Sequence, residues 1–418
     1  MSAAPDVTES QLAGDRFLAK LARMLHEAGT PAHRLEGLVT SCADRLGLKV
    51  CVFSLPTSIN IGIGEEGAQR IMTFRVDPGS PKLAMLEEAY KVADRVARGD
   101  LDAAGGITAL DRARARIRRP TALVNCAGYA LFSAGAAVFL GGSWADMAAA
   151  LPVGFVVGGS IALSVGARER ELLAEFAAAA IGTIIAALVA HLFRSAGLES
   201  SPAIVSLAGL VTLLPGLSLA TAMSELSTRN LASGSARLIG AVTTLVVVGM
   251  GAAIGDRIAV WMNLPQHTAF VVPTAQVAEI TPRLVCALLA ISMGLVIAFQ
   301  ARPRRAPIVI LSCVVGWLAI RTGRQWLGAD VAPVIAAAAI GITGNIYARV
   351  RRRPTLAIVL PGLALLLPGS IGFRGMQGII ASDTVAGLNT AIGAMIVAAS
   401  IAAGLLIANA VLPSPRHV

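Results

Sequence analysis

This sequence has very little charge for its length, and the shortage lies almost entirely in one part of the chain. Of 418 residues only 14% are charged, whereas a soluble protein carries roughly 25%. The first 120 residues hold 17 lysines and arginines and 15 acidic residues, an ordinary balance. The other 298 contain no lysine, 18 arginines and ten acids, in long apolar runs separated by short basic loops. The change near Pro120 excludes a single soluble domain and predicts a soluble domain followed by a membrane domain.

Signals of catalysis, metal binding and cofactor binding are also missing. The five cysteines form no CxxC pair, so neither a disulfide framework nor a structural zinc site is expected. There is no Walker motif, and the GxGxxG of Gly62, Gly64 and Gly67 opens a predicted hairpin rather than a helix. We therefore predict no enzyme, no catalytic residue, no metal and no cofactor. The first 25 residues are polar and mixed in charge, which predicts no secretory signal peptide there.

Long apolar segments dominate the chain after Pro120. A helix needs about 20 apolar residues to cross the hydrocarbon of a bilayer. The candidate spans cover approximately residues 121–141, 146–166, 174–193, 203–222, 236–256, 283–300, 306–321, 330–348, 355–372 and 383–411. The predicted fold class is therefore mainly α: a polytopic membrane protein of about ten transmembrane helices with an N-terminal soluble α+β domain.

The soluble part shows both helical and strand patterns. Apolar spacing predicts helices over 9–28, 31–46, 81–98 and 100–118, and strands over 48–54, 57–63 and 70–77. The predicted domains are a cytoplasmic α+β domain (1–120), a first five-span membrane unit (121–256), an outer linker (257–282) and a second five-span unit (283–418).

The arginines between the apolar segments predict how the chain is oriented. Cytoplasmic loops carry an excess of positive charge. With residue 120 in the cytoplasm, twelve later arginines fall in cytoplasmic loops and six in outer loops. This bias predicts that both termini are cytoplasmic. Because these arginines have no interleaved aromatic residues, the isoelectric point of about 10.1 does not indicate nucleic-acid binding.

The two halves of the membrane region resemble each other. The LLPG segment Leu213–Gly216 recurs as Leu366–Gly369, 153 positions later, and 12 of the 43 positions from 209 to 251 are identical at this offset. The run Ala177–Gly182 recurs as Ala336–Gly341 at an offset of 159. Each copy has five spans, an odd number, so the second copy would enter the membrane in the opposite orientation. We predict two inverted five-helix repeats, an architecture of secondary transporters.

The repeated Pro-Gly pairs predict breaks near the middle of two membrane helices. Proline removes a helical hydrogen bond and glycine tolerates an unwound backbone. In transporters such breaks offer main-chain groups to the substrate. The predicted substrate-binding residues are Pro215, Gly216, Leu217, Ser218, Pro368, Gly369, Ser370, Asn125 and Asn389. The alternative is a pair of proline kinks satisfied by neighbouring helices.

Three carboxylates at the edges of the spans are candidates for coupling transport to protons. Glu175 begins the third span, Glu225 follows the fourth, and Asp383 begins the tenth. Ionisable groups at membrane depth are costly and are by default functional candidates. The alternative for each is an interfacial ion pair or anchor.

Several short motifs resemble the threonine/serine exporter family. They are Glu27–Glu36 (EAGTPAHRLE), Pro56–Ile59 (PTSI), Gly141–Asp146 (GGSWAD) and the two LLPG segments. The resemblance covers nearly the whole chain and implies a cytoplasmic N-terminal domain joined to two five-span units. It also implies export of threonine and serine across a bacterial inner membrane, driven by the proton gradient.

Other functions stay open on the sequence. Two-chain members of the family resemble exporters of dicarboxylates such as succinate, so a dicarboxylate exporter is the first alternative. A membrane sensor that signals through the N-terminal domain is the second. The expected partners are a small polar metabolite, protons and the lipid bilayer, with no nucleic acid. Homo-oligomerisation stays open.

Overall fold

The N-terminal domain is built from four helices and one small sheet. The computed structural model describes residues 9–65, 69–117, 120–164, 171–264, 280–328, 331–366 and 368–414. The elements before the membrane region are α1 (Glu9–Glu27), α2 (Ala32–Arg45), β1 (Val50–Leu55), β2 (Ser58–Ile63), β3 (Arg70–Arg75), α3 (Leu83–Arg98) and α4 (Ala103–Arg116). Each lies within a few residues of its predicted position, and part of the predicted turn at 64–67 falls outside the described residues.

The alternation of buried and less buried side chains along the central strand explains how the sheet packs into the core of this domain. The sheet is antiparallel in the order β1-β2-β3. The central strand buries Ile59, Ile61 and Ile63 on one face, because successive side chains of a strand point to opposite faces. Those side chains share a core with fully buried residues of the helices, such as Phe17 of α1 and Leu86 of α3.

The remaining helices form the membrane region. They are α5 (Ala122–Phe139), α6 (Trp144–Ser164), α7 (Glu171–Ser195), α8 (Pro202–Leu210), α9 (Gly216–Ser227), α10 (Leu231–Trp261), α11 (Pro282–Ala298), α12 (Ala306–Leu327), α13 (Ala332–Arg351), α14 (Leu356–Leu365), α15 (Pro368–Ile380) and α16 (Thr384–Val411). In the described residues, eight stretches are long and apolar enough to cross a membrane, with α14 and α15 counted as one. Of the other two predicted spans, α11 has 17 residues and the fourth is divided between α8 and α9.

Several helices continue past the apolar segments that predicted them. Glu225, expected after the fourth span, lies inside α9, and Arg374, expected in an outer loop, lies inside α15. Arg321 and Arg324, also expected in an outer loop, belong to α12. An apolar run marks only part of a helix, because backbone hydrogen bonding continues the helix through polar residues. The predicted loop positions of these four residues are therefore wrong.

Glycines bring helices together in the same way in both halves. A Cβ on Gly234 of α10 would lie 3.0 Å from the carbonyl oxygen of Ala222 in α9. A Cβ on Gly387 of α16 would lie 2.8 Å from the carbonyl oxygen of Gly375 in α15. Both residues of the second contact follow those of the first by 153 positions, the offset of the sequence repeat. Small residues allow such close approach of helices in lipid.

The bundle has two ends, which we name by their neighbours. The N-domain face contacts the N-terminal domain and includes Glu225 near the end of α9 and Phe299 after α11. The opposite end, the far face, includes Asp146 at the start of α6 and Ser200 before α8. The last helix, α16, returns to the N-domain face, because its Asn409 lines a cavity together with Pro31 of the N-terminal domain.

Candidate functional site

The first broken helix is interrupted between α8 and α9. The helix ends at Leu210 and resumes at Gly216. Pro215 has φ −80° and ψ 43°, and the Gly216 N–H donates to the Leu214 carbonyl at 2.8 Å, which is an inverse γ-turn. The Gly216 amide, which the sequence predicted as a donor to the substrate, is therefore used in this local bond.

The second break lies between α14 and α15. The helix α14 ends at Leu365 and α15 begins at Pro368, with residue 367 outside the described part of the chain. The Leu366 N–H donates to the Leu363 carbonyl at 3.1 Å, a tightened last turn. Pro368 opens the new helix, a position where proline is tolerated because its missing N–H would have no helical acceptor.

The two breaks touch each other through bare backbone. A Cβ on Gly216 would lie 3.0 Å from the Gly369 nitrogen, and a Cβ on Gly369 would lie 2.8 Å from the Gly216 nitrogen. Neither glycine has a positive φ, so the close approach, rather than backbone conformation, requires glycine at both positions. We call this contact of Gly216 with Gly369 the crossing.

The two broken helices pass the crossing in opposite directions. The helix α9 runs from Gly216 to the N-domain face, where Glu225 meets the N-terminal domain. The helix α14 starts at that same face, where Leu356 shares a cavity with Pro31. The N-termini of α9 and α15 therefore meet at the crossing, and α8 and α14 end close to it. Helix N-termini carry partial positive charge and C-termini partial negative charge, so both signs are offered at one place.

A small cavity with one polar side lies between the crossing and the N-domain face. Its volume is about 50 Å³. Thr221, Ser224 and Thr228 line one side, and apolar residues of α14 and α16 line the other. His33 and Arg34, at the start of α2, cover it from the N-terminal domain. Burial, aided by the Arg34 charge, lowers the pKa of His33 to about 4, so this imidazole is neutral at pH 7.

A buried carboxylate holds the N-terminal domain to the first half of the bundle. Glu225 is completely buried. Its carboxylate accepts from the Ala32 backbone N–H at 2.9 Å, from the Ser233 hydroxyl at 2.8 Å and from the Arg237 Nε at 3.1 Å. Ala32 is the first residue of α2, so a membrane helix supplies the acceptor that this helix N-terminus needs. We call Glu225, Ser233, Arg237 and Ala32 the latch.

A second group of contacts joins the N-terminal domain to the other half of the bundle. The N–H of Leu83, at the start of α3, donates to the Phe299 carbonyl at 2.8 Å. Arg305 pairs with the buried Glu87 at 3.0 Å, and Arg302 pairs with Glu88 at 2.9 Å. The N-terminal domain therefore contacts both halves of the bundle at one face.

A wider opening lies at the far face. A cleft of about 670 Å³ lies beside the start of α8 and includes Ser143, Arg194 and Ser200. Asp146 organises its wall: one carboxylate oxygen accepts from the Ser143 N–H at 2.8 Å, and the other accepts from the Ser201 N–H at 2.7 Å. The cleft and the small cavity thus lie at the two ends of the same broken helix.

The structure separates the predicted site residues. Pro215, Gly216, Pro368 and Gly369 meet at the crossing, and Ser370 is buried next to it. Leu217 is partly buried. Ser218 and Asn389 face outward from the bundle, and Asn125 lies in the first turn of α5, at the N-domain face. These last three side chains do not reach the crossing.

The three predicted ion-coupling residues have different surroundings. Glu225 is held in the latch by three donors. Asp383 is exposed and caps α16, accepting from the Ala386 N–H at 3.3 Å. Glu175, in α7, has a buried Oε2 without a hydrogen-bond partner among the described residues. Only Glu175 thus combines burial with an unoccupied oxygen.

Comparison with known proteins identifies the family. Residues 16–259 match a family model described as "Putative threonine/serine exporter", and residues 283–411 match one described as "Threonine/Serine exporter, ThrE". The chain belongs to the threonine/serine exporter family. It is therefore related to multi-pass membrane exporters of amino acids. No solved structure matches this chain.

Individual relatives of this exporter family come from bacteria and fungi. A threonine/serine exporter of Corynebacterium glutamicum is 26% identical over 96% of this chain and 83% of its own length. An uncharacterized protein of Schizosaccharomyces pombe is 25% identical over 86% of this chain and 48% of its own length. The pheromone-regulated membrane protein 10 of Saccharomyces cerevisiae is 23% identical over 90% of this chain and 49% of its own length. The chain thus spans about half the length of these fungal relatives.

The motifs shared with the exporter family occupy structural contacts. Ala32 and His33, in the EAGTPAHRLE motif, reach the latch and the small cavity. Asp146, in the GGSWAD motif, holds the wall of the far cleft. Sequence reasoning gave neither motif a role, because both make their contacts with residues distant in the chain. Continuing the helix of the fourth span beyond Gly216 would have placed Glu225 inside it, as the structure does in α9.

Proposed function

We propose that this protein is a secondary transporter that exports a small polar amino acid, such as threonine or serine, and that the substrate passes the crossing of Gly216 and Gly369. The crossing of two broken helices is the observation that carries this proposal. Unwound backbone at membrane depth is tolerated where it is buried in protein or lines a cavity. Discontinuous helices of this kind form the substrate sites of many secondary transporters.

The mixture of helix ends at the crossing favours an amino acid over a dicarboxylate. Two N-termini, of α9 and α15, offer partial positive charge to a carboxylate, and the ends of α8 and α14 offer carbonyl oxygens to an ammonium group. A zwitterion uses both signs, whereas a dicarboxylate uses only one. The names of the family and of the Corynebacterium relative agree with this choice.

We further propose that the two five-helix units are inverted repeats that alternate access around the crossing. The opposed directions of the broken helices and the glycine contacts shared at an offset of 153 support this. The small cavity and the larger cleft would be the two entrances. The arginine bias supports a cytoplasmic N-domain face in the inner membrane, so the small cavity would admit substrate and the cleft would release it.

Proton coupling is proposed for Glu175. Its buried Oε2 has no partner among the described residues and could take up a proton, whereas both carboxylate oxygens of Glu225 are occupied. Replacing Glu175 with glutamine should remove the dependence of efflux on a pH gradient, while exchange of labelled for unlabelled threonine continues. Gradient-driven efflux at the wild-type rate in Glu175→Gln would refute this role.

The transport proposal is tested with purified protein in liposomes. Labelled threonine, serine and succinate are each loaded, and efflux is followed with and without a pH gradient. We expect efflux of threonine and serine. Gly216→Ala and Gly369→Ala should abolish it, because each added methyl group meets backbone at 3.0 Å or less. Gly240→Ala is the matched control, since its Cβ would meet nothing within 4 Å.

Three outcomes would contradict the proposal. Efflux of succinate alone would replace the amino-acid substrate with a dicarboxylate. Failure to transport any of the three, by wild-type protein that is folded and inserted, would favour the membrane sensor. Wild-type efflux from Gly216→Ala and Gly369→Ala would remove the crossing from the path.

A further inference from the structure

An arginine lies inside the second broken helix, beyond the crossing. Arg374 belongs to α15, six residues after its first residue, Pro368. With a rise of 1.5 Å per residue, it lies roughly 9 Å along the helix from the crossing. Arginine inside the apolar part of a membrane protein is costly and marks functional positions by default.

Arg374 lacks the acidic partners that Arg237 and Arg305 have at the opposite end of the bundle, the N-domain face. Within the described part of the chain, its buried Nε has no hydrogen-bond partner and no carboxylate pairs with it. Arg237 and Arg305, by contrast, bind Glu225 and Glu87 at 3.1 and 3.0 Å. Arg374 as a whole is partly exposed, while its Nε is enclosed by protein.

Arg374 is the middle of a polar stripe that starts at the crossing. Ser370, Arg374 and Gln377 are spaced i, i+4 and i+7, which places them on one face of α15. Ser370 is 4% exposed and Gln377 is 7% exposed. The Gln377 amide nitrogen donates to the Gly249 carbonyl at 3.2 Å, which fixes this side chain against α10. The stripe covers about 10 Å from the crossing toward the far face.

The first half of the bundle carries a matching stripe that points the other way. At the offset of 153, Thr221 and Ser224 correspond to Arg374 and Gln377. Thr221 and Ser224 line the small cavity between the crossing and the N-domain face. Polar positions therefore continue from the N-domain face, through the crossing, toward the far face. Of Thr221, Ser224, Arg374 and Gln377, only Arg374 carries a full charge.

We infer that Arg374, positioned between Ser370 and Gln377, binds the carboxylate of the transported molecule after it passes the crossing. This inference rests on the proposed transport function and deepens it. A guanidinium presents a planar fork of N–H donors that matches a carboxylate, and charge-assisted bonds of this type are about twice as strong as neutral ones. The ligand class is a small molecule with a free carboxylate.

The test uses the full-length protein in liposomes and in detergent. Efflux of labelled threonine is measured over a range of concentrations for wild type, Arg374→Gln and Arg374→Lys. The matched control is Arg321→Gln, an arginine of α12 that lies 5.5 Å from the ring of Trp317. Loss of a charged hydrogen bond corresponds to roughly a 10- to 100-fold change. We expect Arg374→Gln to raise KM for threonine within this range, Arg374→Lys to raise it less, and Arg321→Gln to leave it within about twofold.

A second measurement separates recognition from folding. The Tm of the purified protein is recorded with threonine and with threoninol, the amino alcohol that lacks the carboxylate. Wild type should be stabilised by threonine and not by threoninol, and Arg374→Gln should lose this difference while keeping its own Tm without ligand. Unchanged KM in Arg374→Gln, or an unchanged preference for threonine, would overturn the inference.

Failure of transport itself would look different. A wild-type protein that moves neither threonine, serine nor succinate refutes the proposed function. The Tm comparison still decides the role of Arg374 in that case, because it needs binding alone. Wild type stabilised by threonine over threoninol, with the preference lost in Arg374→Gln, would support the carboxylate site; any other result would overturn it.

Discussion

Replacing Glu225 with alanine should release the N-terminal domain from the first half of the bundle. The substitution removes the acceptor of three bonds, from Ala32, Ser233 and Arg237, and leaves the Arg237 guanidinium without its partner. Breaking a buried ion pair in this way costs roughly 3–5 kcal/mol. Glu225→Gln keeps the shape and loses the charge, so its cost should be about 1–3 kcal/mol.

Release should be partial, since a second set of contacts remains. The Leu83 N–H stays bonded to the Phe299 carbonyl, and Glu87 stays paired with Arg305. The part of the domain that covers the small cavity, His33 and Arg34, should therefore lift while the other side stays attached. A cost of 3 kcal/mol corresponds to a change of roughly 100-fold in the opening equilibrium.

The assay is the labelling rate of one cysteine in the small cavity. Ser224→Cys is placed in a background in which the five native cysteines are replaced, and labelling by a maleimide reports opening of the cavity. Labelling should be at least about tenfold faster with Glu225→Ala and less accelerated with Glu225→Gln. Glu199→Ala, at the far cleft, is the matched control and should leave the rate unchanged.

A double substitution separates the lost bond from the stranded charge. Glu225→Ala with Arg237→Leu removes both partners, so no unpaired charge is left. Fast labelling in the double variant would show that the bond to Ala32 holds the domain. Recovery of the slow rate would assign the effect to the stranded Arg237 instead. Slow labelling in Glu225→Ala itself would refute the latch.

Two further predictions concern the N-domain face and the far face. The pKa of His33 is lowered to about 4 by burial, below its ordinary 6.5. Docking of the N-terminal domain should therefore be most stable above pH 6.5 and weaken as the pH falls toward 4, by at most about 3 kcal/mol. The Ser224→Cys labelling rate should rise over this range in wild type and stay flat in His33→Gln. At the far face, Asp146→Asn turns one of two accepting oxygens into a donor opposite Ser143 or Ser201, which should cost about 1–3 kcal/mol. Cleavage of the loop before α8 by protease should accelerate, and an unchanged rate would contradict this.

Local patterns in the sequence predicted most of the elements and both helix breaks. Strand alternation located β2, and the apolar segments located the membrane helices, because these patterns depend only on neighbouring residues. The Pro-Gly pairs placed the interruptions, since proline and glycine act on their own backbone. Ser218 was predicted to bind substrate because it follows Gly216 closely in sequence. Two residues along a helix correspond to a rotation of about 200°, however, and Ser218 faces outward.

Contacts between distant residues could not be read from these patterns. The Ala32–Glu225 bond joins positions 193 residues apart, and no periodicity reports such a pair. Arg374 was assigned to a loop because the predicted ninth span ended at residue 372, although the restarted helix α15 continues through it. Only the sequence repeat related Gly216 to Gly369, and it gave no indication that the two residues touch.

The positions of the crossing and the N-terminal domain suggest how the two would divide their work in transport. The contact between Gly216 and Gly369 can act as a pivot, because neither glycine has a side chain that must repack when the helices tilt. The N-terminal domain contacts both halves of the bundle at one face, so opening that face requires at least one of its two sets of contacts to break. Here the cavity at that face is about 50 Å³ and the far cleft about 670 Å³. The free energy of docking would therefore set the balance between the two conformations. Variants of the latch should shift the balance between the two conformations. Variants of the crossing should instead stop transport, whichever conformation is favoured.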